Sequence, residues 1–226
     1  MNKWPLVSVV IPTHSRAKLI TERAIPSVLD QTYQNFEIIV VLDDCVDNTK
    51  DEVLSIGDNR IKIIDFKKDK EYPANKDLRW YVAGVPPRNK GLSNVSGDLI
   101  APLDDDDCFL ANHLEISVKK HLETNCDVTY ALAETVNRKS GKPNGIIGSR
   151  QGSKRMIVPH GSIVYNSKHR NYLYCESENG PADHAFWTKM LNDGLRFEFI
   201  DIVTTRKWSD QAHPPPPTWY VRGGKP

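Results

Sequence analysis

The 226-residue sequence lacks the features of several protein classes. Its 30 basic and 29 acidic residues nearly cancel, so there is no basic field of the kind that binds nucleic acid. Its four cysteines are dispersed, with no close pair and no matching histidine spacing, which argues against a disulfide framework or a zinc site and favours a reduced, cytosolic protein. They are Cys45, Cys108, Cys126 and Cys175.

The sequence also has no apolar run long enough to cross a bilayer. Residues 1–6 lead directly into a strand pattern and lack the charged-then-apolar form of a signal peptide. We therefore expect a cytoplasmic protein without a transmembrane segment, while peripheral association with a membrane stays open. The length fits one domain with a sizeable core. The oligomeric state is not indicated.

The most informative feature that is present is a run of four carboxylates, Asp104–Asp107, directly after the apolar segment Leu99–Leu103. Adjacent carboxylates repel one another, and a divalent cation can offset the repulsion because hard cations take oxygen ligands. Alternating residues of an extended segment point to the same side. Asp104 and Asp106 can therefore face one ion or one metal-bound ligand. The alternative is a solvated acidic turn that caps the following helix.

Strand and helix patterns alternate along the first half of the chain. This alternation predicts a parallel sheet with helices on both faces. In such sheets ligands bind beyond the carboxyl ends of the strands. Asp44 and the acidic run both follow predicted strands, so one crevice can hold both. The predicted strands are 7–11, 36–42, 61–64 and 99–103, and the predicted helices are 17–29 with a kink at Pro26, 47–55, 88–95 and 111–123.

The second half of the chain is less regular. Its patterns indicate strands over 127–134, 161–165 and 196–203, a turn over 138–143 and a helix over 181–192. We expect His160, just before the second of these strands, to be a hydrogen-bonded structural residue outside the chemistry.

Several segments of the chain, in this order, resemble those of the family 2 glycosyltransferases. Each motif alone is weak evidence, whereas their succession makes chance agreement improbable. The resemblance is close over roughly residues 5–124 and looser to about residue 208. The segments are VSVVIPTHSR at 7–16, SVLDQTY at 27–33, FEIIVVLDD at 36–44, RNKG at 88–91, GDLI at 97–100 and LDDDD at 103–107.

The resemblance implies a GT-A fold in a single domain over residues 1–226. This is an α/β fold with a Rossmann-like, mostly parallel central sheet, helices on both faces and a small mixed acceptor-side region. We expect residues 1–107 to form the nucleotide-sugar-binding half, 108–208 the acceptor-binding half and 209–226 a Pro-rich tail.

The implied activity is metal-dependent, inverting transfer of a sugar from a nucleotide diphosphate donor. A UDP-sugar is favoured as the donor, and a hydroxyl of a saccharide or other molecule is the acceptor. Such transfers serve glycan or cell-surface polysaccharide synthesis.

The resemblance also implies a donor-nucleotide site. Asp44 is expected to hydrogen-bond the base, and the loop after the first strand is expected to pack against it. His14 stands in that loop where the family often has a tyrosine, and Arg88 is expected to supply a fixed cation near the diphosphate. The expected donor-site residues are Pro12, Thr13, His14, Arg16, Asp44, Arg88, Asp104 and Asp105.

The acidic run matches the D-x-D motif of the family, which binds a metal ion. The match implies Asp106 as the direct ligand, Asp104 near the ribose or the metal shell, and Asp105 or Asp107 in support. The ion would be Mn²⁺ or Mg²⁺, which offsets the charge that gathers on the leaving diphosphate. His213, in the C-terminal segment, is a candidate for a further metal ligand.

Inverting transfer also requires a base that takes the proton of the acceptor hydroxyl. The family usually supplies it as the second acid of an acidic pair that opens a helix. Asp183 occupies that position, whereas Ala182 stands where the first acid is common. Helix capping is the alternative role for Asp183.

Two other interpretations compete with an active glycosyltransferase. A phosphatase of the haloacid dehalogenase type also carries D-x-D after a strand, but it requires Thr or Val where this chain has Cys108. The other is a catalytically silent GT-A module that binds a nucleotide sugar, an interpretation that Ala182 keeps open.

Overall fold

The structure, a computed structural model, describes residues 4–69, 71–75, 79, 81–82, 84–150, 156–175 and 181–209. Its strands in chain order are β1 (Val7–Thr13), β2 (Phe36–Asp43), β3 (Ile61–Phe66), β4 (Leu99–Pro102), β5 (Cys108–Phe109), β6 (Val128–Asn137), β7 (Pro143–Ile147), β8 (Val164–Asn166) and β9 (Phe197–Ser209). The helices that bear on the site are α1 (Ala17–Leu19), α2 (Ile25–Leu29), α3 (Thr49–Ser55), α4 (Val85–Leu92), α5 (His113–Thr124) and α6 (Ala182–Asn192).

The strands form one sheet in the order β3-β2-β1-β4-β8-β6-β9-β5, with β7 paired to β6. The first four neighbours are parallel, as the alternation of strands and helices predicts. From β8 onward the pairing is mixed: β8 is antiparallel to β4 and β6, whereas β6 and β9 are parallel. Among the described residues, no helix combines the length and apolar character that crossing a membrane requires.

Every residue of β1 and β2 is buried, because helices cover both faces of the parallel sheet. On one face, α4 approaches β1 closely at Gly91. A Cβ atom at this position would lie 2.3 Å from Cγ1 of Val10, so only glycine allows the contact. The close packing places Arg88, one turn earlier on α4, near the end of β4, where it pairs with Asp104.

The predicted helix over 17–29 is not a single α-helix. A π-helical turn, Ile20–Ala24, separates α1 from α2. Pro26 has no N–H to donate to the carbonyl four residues earlier, which explains why the α-helical pattern is interrupted before it. The π-helical turn carries Arg23, whose Nη1 donates to the carbonyl oxygen of Asp106 at 2.6 Å.

The second half departs further from the sequence expectation. The expected strand over 161–165 begins with a 3₁₀ turn, His160–Ser162, and only β8 is extended. Strands β6 and β9 continue past the expected ends at 134 and 203, because they pair with each other along their whole length. The predicted turn over 138–143 connects β6 to β7, a strand without a clear sequence signal.

A buried carboxylate joins the first strands. Glu37, on β2, accepts hydrogen bonds from Ser8 Oγ at 2.6 Å, from N and Oγ of Ser96 at 2.8 Å each, and from Lys62 Nζ at 2.6 Å. Burial by itself would raise the pKa of Glu37, but Lys62 and the two serines lower this pKa to about 2.

We expect Glu37→Gln to destabilise the fold in a pH-dependent way. The folded-state pKa lies below the ordinary value of 4.5. The carboxylate therefore stabilises the fold fully above that value, and this stabilisation is lost as the pH falls from 4.5 towards 2. At pH 7 the substitution should lower the free energy of unfolding by about 2–3 kcal/mol, and at pH 3 by less than half of that amount. Urea unfolding at both pH values measures the difference.

The control for this prediction is Glu115→Gln, which removes an exposed carboxylate paired with Lys119. It should change stability little at either pH. A Glu37→Gln effect that does not depend on pH would show that the charge of Glu37 is not what stabilises these strands.

Candidate active site

The carboxyl ends of β1, β2 and β4 meet at one edge of the sheet. Strand β1 has β2 on one side and β4 on the other, so the strand order reverses at β1. Ligands of open α/β sheets bind outside such a reversal. Thr13 ends β1, Asp43 ends β2, and the acidic run follows β4. The sequence placed these groups at strand ends, and the topology places the ends side by side.

The loops after β1 and β2 contact each other directly. The ring Nδ1 of the exposed His14 makes a short hydrogen bond to the carbonyl of Asp43, and Val46 N donates to Ser15 Oγ at 3.1 Å. Ser15 and Asp44 adopt φ values of 50° and 45°. Non-glycine residues rarely occupy this region, and those that do cluster at functional sites.

The two aspartates after β2 face different surroundings. Asp43 is buried and accepts from the hydroxyl of Tyr72 at 2.6 Å. The Asp44 side chain is 30% exposed, accepts from Lys68 N at 3.3 Å and lies 3.8 Å from Lys68 Nζ. Of the two aspartates, Asp44 is therefore the one that is accessible to a ligand. The sequence did not indicate that Lys68 and Tyr72 would surround this pair.

The four members of the acidic run have different partners. Asp105 is 5% exposed, and its two oxygens accept from Thr13 Oγ1 at 2.7 Å and from Arg16 Nη1 at 2.9 Å. Burial raises its pKa. One oxygen each of Asp104, Asp106 and Asp107 lies within 4.8 Å of the others, and Asp106 also shares Arg16 Nη1 with Asp105. Asp105 thus orients the β1 loop, whereas the other three form a carboxylate cluster.

Lys207, on β9, stands between two members of that cluster. Its Nζ lies 3.5 Å from Asp104 Oδ2 and 3.3 Å from Asp107 Oδ2, and Arg88 Nη2 lies 2.6 Å from Asp104 Oδ1. Burial by itself would raise the pKa of Asp104, but the charges of Arg88 and Lys207 lower it. Burial raises the pKa of Asp107 to about 7, and the charges of Asp104 and Asp106 add to the effect of burial.

Asp106 is held by two arginines. Its Oδ2 lies 2.8 Å from Nη2 of Arg138, just beyond β6, and 3.3 Å from Nη1 of Arg16. From the sequence we expected a divalent ion to offset the repulsion among these carboxylates. In this structure arginine and lysine side chains offset that repulsion, and Arg138 and Lys207 come from the half of the chain that carries few motifs.

The carboxylate cluster fits a hard divalent cation. Its members offer oxygen atoms, which Mg²⁺ and Mn²⁺ prefer, and oxygens bound to one Mg²⁺ at about 2.1 Å lie at most about 4.2 Å apart. The spread of 4.8 Å among Asp104, Asp106 and Asp107 requires only a small contraction. Of the two candidates for a supporting carboxylate, Asp107 belongs to this cluster and Asp105 does not. The predicted ligand His213 lies outside the described residues.

Asp183 lies in the first turn of α6, next to the same crevice. Pro181, with no side-chain hydrogen bond, is the N-cap residue, and Asp183 Oδ1 accepts from the adjacent His184 N at 2.8 Å. Asp183 is therefore not the N-cap. Its charge acts on Arg88 and Lys207, which also pair with the acidic run. The negative charge of Asp183 thus favours the protonated forms of the two cations that pair with the acidic run.

Two further residues explain parts of the sequence pattern. Ala182 is 3% exposed and packs in the same core cluster as Phe186, so the start of α6 is anchored in the core at the position where the family commonly has an acid.

Asn89, next to Arg88 on α4, accepts from Tyr174 N and donates to Tyr174 O, both at 2.8 Å. It connects α4 to the segment around Tyr174.

Comparison with known proteins identifies the family. The sequence profile described as "Glycosyl transferase family 2" matches residues 8–78 and 85–185. The chain belongs to glycosyl transferase family 2. The motifs indicated this family, and the phosphatase interpretation is wrong.

One curated relative of the chain is the Escherichia coli protein "UDP-Glc:alpha-D-GlcNAc-diphosphoundecaprenol beta-1,3-glucosyltransferase WfgD". The two are 35% identical over 166 residues, which cover 74% of this chain and 56% of the relative. The chain thus spans little more than half the length of that protein.

Solved structures confirm the predicted GT-A-type α/β fold. Residues 1–349 of S. aureus TarS in complex with UDP-GlcNAc superpose with a TM-score of 0.68 at 19% identity, over 91% of this chain and 59% of that one. The mannosyltransferase PcManGT of Pyrobaculum calidifontis, in complex with GDP-Man and Mn²⁺, gives a TM-score of 0.64 at 17% identity, over 96% of this chain and 60% of that one.

Proposed function

We propose that this family 2 glycosyltransferase transfers a sugar, with inversion and with the help of a divalent metal ion, from a nucleotide diphosphate to a hydroxyl acceptor. One observation carries the proposal. The carboxylates of Asp104, Asp106 and Asp107 converge within 4.8 Å at the sheet edge where Asp44 also lies. The charge of Asp183 raises the pKa of Arg88 and of Lys207, the two side chains that pair with carboxylates of this cluster.

UDP is the favoured nucleotide. The E. coli relative is named for a UDP-Glc donor, and TarS was solved with UDP-GlcNAc. Asp44 is partly exposed at the end of β2, where a carboxylate can accept from the imide N–H of uracil. Pro12, Thr13 and His14 form the adjoining wall on the β1 side.

The diphosphate and ribose are assigned to the next residues along the sheet edge. Arg88 and Arg16 supply fixed positive charge for the phosphates. Asp104 is assigned to the ribose or the metal shell, and Asp105 acts by holding Thr13 and Arg16 in place. Because Arg16 also pairs with Asp106, donor binding would draw this arginine away from that carboxylate.

Asp106, supported by Asp104 and Asp107, would hold Mn²⁺ or Mg²⁺. When bound, the ion supplies positive charge that offsets the charge developing on the leaving diphosphate. Arg138 and Lys207 now contact these carboxylates and would have to share or release them. His213 is retained as a proposed further ligand on the family resemblance alone.

Asp183 is proposed as the general base. The carboxylate takes the proton of the acceptor hydroxyl as its oxygen attacks the anomeric carbon, and the nucleoside diphosphate leaves from the opposite face. This order of bond making and breaking inverts the configuration at that carbon. A carboxylate within hydrogen-bond reach of the hydroxyl suffices for this role.

For the acceptor and the cellular setting, we propose a lipid-diphosphate-linked sugar and cell-surface glycan synthesis at the cytoplasmic side of a membrane. The name of the E. coli relative, a diphosphoundecaprenol glucosyltransferase, supports this proposal.

We retain the proposed donor half at 1–107 and acceptor half at 108–208, with the modification that two residues of the second half contact the donor site. Arg138 and Lys207, from the second half, reach the donor-side carboxylates.

A silent nucleotide-sugar-binding module is the second candidate. The observation in its favour is that Arg16, Arg138 and Lys207 already contact the carboxylate cluster. An active enzyme and a silent module both bind nucleotide, but only the enzyme releases UDP from a UDP-sugar when an acceptor is present.

The experiment for the proposed function is a thermal-shift screen of UDP, GDP and TDP with Mn²⁺ or with EDTA, followed by a UDP-release assay. With Mn²⁺, UDP at a hundredfold excess over its Kd should raise the Tm by about 5–10 °C, and this shift should be lost in EDTA. Absence of a shift with every nucleotide would contradict the proposal. A shift without nucleotide release from any sugar nucleotide and acceptor would favour the silent module.

A further inference from the structure

Two buried side chains next to the proposed site carry polar atoms without a partner. His160 and Tyr174 are each 3% exposed. Among the described residues, Nδ1 and Nε2 of His160 and the hydroxyl of Tyr174 have no hydrogen-bond partner. Buried polar groups of native proteins are nearly always hydrogen-bonded to protein or to ordered water, because leaving them unpaired costs free energy. The described residues thus do not supply the hydrogen bonds that we expected for His160.

Other buried histidines of this fold have partners: His113 Nδ1 lies 3.0 Å from Thr204 Oγ1, while its Nε2 has no partner among the described residues, and His121 is paired at both ring nitrogens. His121 is 7% exposed, and its Nδ1 and Nε2 lie 3.2 Å and 3.0 Å from the carbonyl oxygens of Cys126 and Val164. His160 lies at the start of a 3₁₀ turn whose neighbouring carbonyls bond to backbone N–H groups and to the hydroxyl of Ser162. Within the described residues no protein group pairs with the polar atoms of its ring, so both ring nitrogens are available to a bound ligand.

The two side chains are held in defined positions. The rings of His160 and Tyr174 meet edge to face, with centroids 5.5 Å apart at 82°. Tyr174 also stacks on Phe186, with centroids 4.0 Å apart at 8°, and Asn89 binds its backbone on both sides. A rigid pair of this kind is suited to recognise a ligand group at a fixed place.

The location of the pair identifies the part of the substrate that it faces. Arg88, which pairs with Asp104 at 2.6 Å, has its guanidinium carbon 5.7 Å from the centre of the Tyr174 ring. The charges of Asp104 and Asp183 act on both His160 and Tyr174. In the proposed function, Asp104 lies on the nucleotide side and Asp183 on the side of the attacking hydroxyl. Inversion requires the leaving group and the attacking oxygen to stand on opposite faces of the anomeric carbon, so the transferred sugar lies between them.

We propose that His160 and Tyr174 form a subsite that binds a hydroxyl of the transferred sugar, and this inference rests on the proposed function. Burial lowers the pKa of His160 to about 4, so its ring is neutral near pH 7 and offers one donor and one acceptor. A sugar hydroxyl both donates and accepts, and the Tyr174 hydroxyl can complete the pair. The subsite selects donors with a hydroxyl at that position.

The test compares binding of the nucleotide with binding of the sugar nucleotide. Isothermal titration in Mn²⁺ gives the Kd of UDP and of GDP, and of UDP-glucose, UDP-N-acetylglucosamine, UDP-galactose and GDP-mannose. For the tightest sugar nucleotide of the wild type, His160→Phe should raise the Kd about tenfold and Tyr174→Phe about fivefold, since each loses a hydrogen bond. The Kd of the nucleotide alone should stay within about twofold. Both variants keep an aromatic ring in the core.

The matched control is Tyr130→Phe, which removes another buried hydroxyl of the same core cluster, one that donates to the carbonyl of Ser149 at 3.2 Å. It should change neither the Kd of the nucleotide nor the Kd of the sugar nucleotide. If the His160 and Tyr174 variants lose the same affinity for the nucleotide and for the sugar nucleotide, the two residues have a structural role and the inference is overturned. The inference is also overturned if neither variant loses affinity for the sugar nucleotide. A wild type that binds no sugar nucleotide more tightly than its nucleotide would also overturn it. A wild type that binds no nucleotide would overturn the proposed function itself.

Discussion

Asp106→Asn is expected to abolish Mn²⁺-dependent nucleotide binding. Asp106 has one oxygen in the carboxylate cluster and a side chain that is 17% exposed, so it is close to solvent but held by Arg16 and Arg138. Asparagine keeps the shape and loses the charge that a divalent cation requires. The Kd of UDP in Mn²⁺ should rise at least about a hundredfold, to the value that the wild type shows in EDTA. Isothermal titration measures both conditions.

The matched control for this substitution is Glu134→Gln. Glu134 lies on β6, is 25% exposed and pairs with Arg206 at 2.7 Å, so the control removes one similarly placed carboxylate without touching the cluster. It should leave the Mn²⁺ effect intact. Unchanged affinity of the Asp106 variant in Mn²⁺ would exclude Asp106 as a ligand. In EDTA the variant should bind UDP no more weakly than the wild type, because Arg16 and Arg138 are released from Asp106.

Asp183→Asn is expected to retain donor binding and to lose transfer. The amide cannot take a proton, but its oxygen can still accept from His184 N, so the start of α6 should be preserved. Loss of a general base lowers the rate by roughly 10²- to 10⁴-fold. A UDP-release assay at saturating donor and acceptor measures the rate, and titration of UDP in Mn²⁺ measures binding.

Asp193→Asn provides the control at the other end of the same helix. Asp193 pairs with Lys189 at 3.0 Å and accepts from the hydroxyl of Tyr172 at 2.9 Å, far along α6 from the crevice. Its transfer rate should be normal. Near-normal transfer by the Asp183 variant would leave Asp183 as a residue of the first helical turn. Loss of UDP binding along with transfer would indicate damage to the site rather than loss of a base.

Much of the first half was predictable because its signals are local. The β-branched runs of β1 and β2 are buried on both faces, so they appear as continuous apolar segments. The acidic run and Asp44 follow such segments directly, which places them at strand ends without any tertiary information. The family motifs then associate each strand end with a role, the end of β2 with the base and the end of β4 with the metal ion.

The second half was less predictable because its strands depend on pairing between distant segments. Strand β6 pairs with β9 from Val128 to Asn137 with shifts of register, and neither strand shows a regular alternation that would mark its ends. Strand β5 contains only two residues, Cys108 and Phe109, and exists because it pairs with β9. No local pattern encodes such partners.

The sequence by itself determined the family, the parallel half of the sheet and the carboxylates of the candidate site, because apolar runs, strand-end acids and motif order are properties of neighbouring residues. Only the tertiary structure decided how the acidic run is divided. Asp105 turns to Thr13 and Arg16, while Asp104, Asp106 and Asp107 form one cluster. The cations that offset their charge, Arg138 and Lys207, lie 32 and 100 residues away from their partners Asp106 and Asp107. Such pairs form only when packing of β6 and β9 against the sheet brings opposite charges together, and that packing is set by the whole fold.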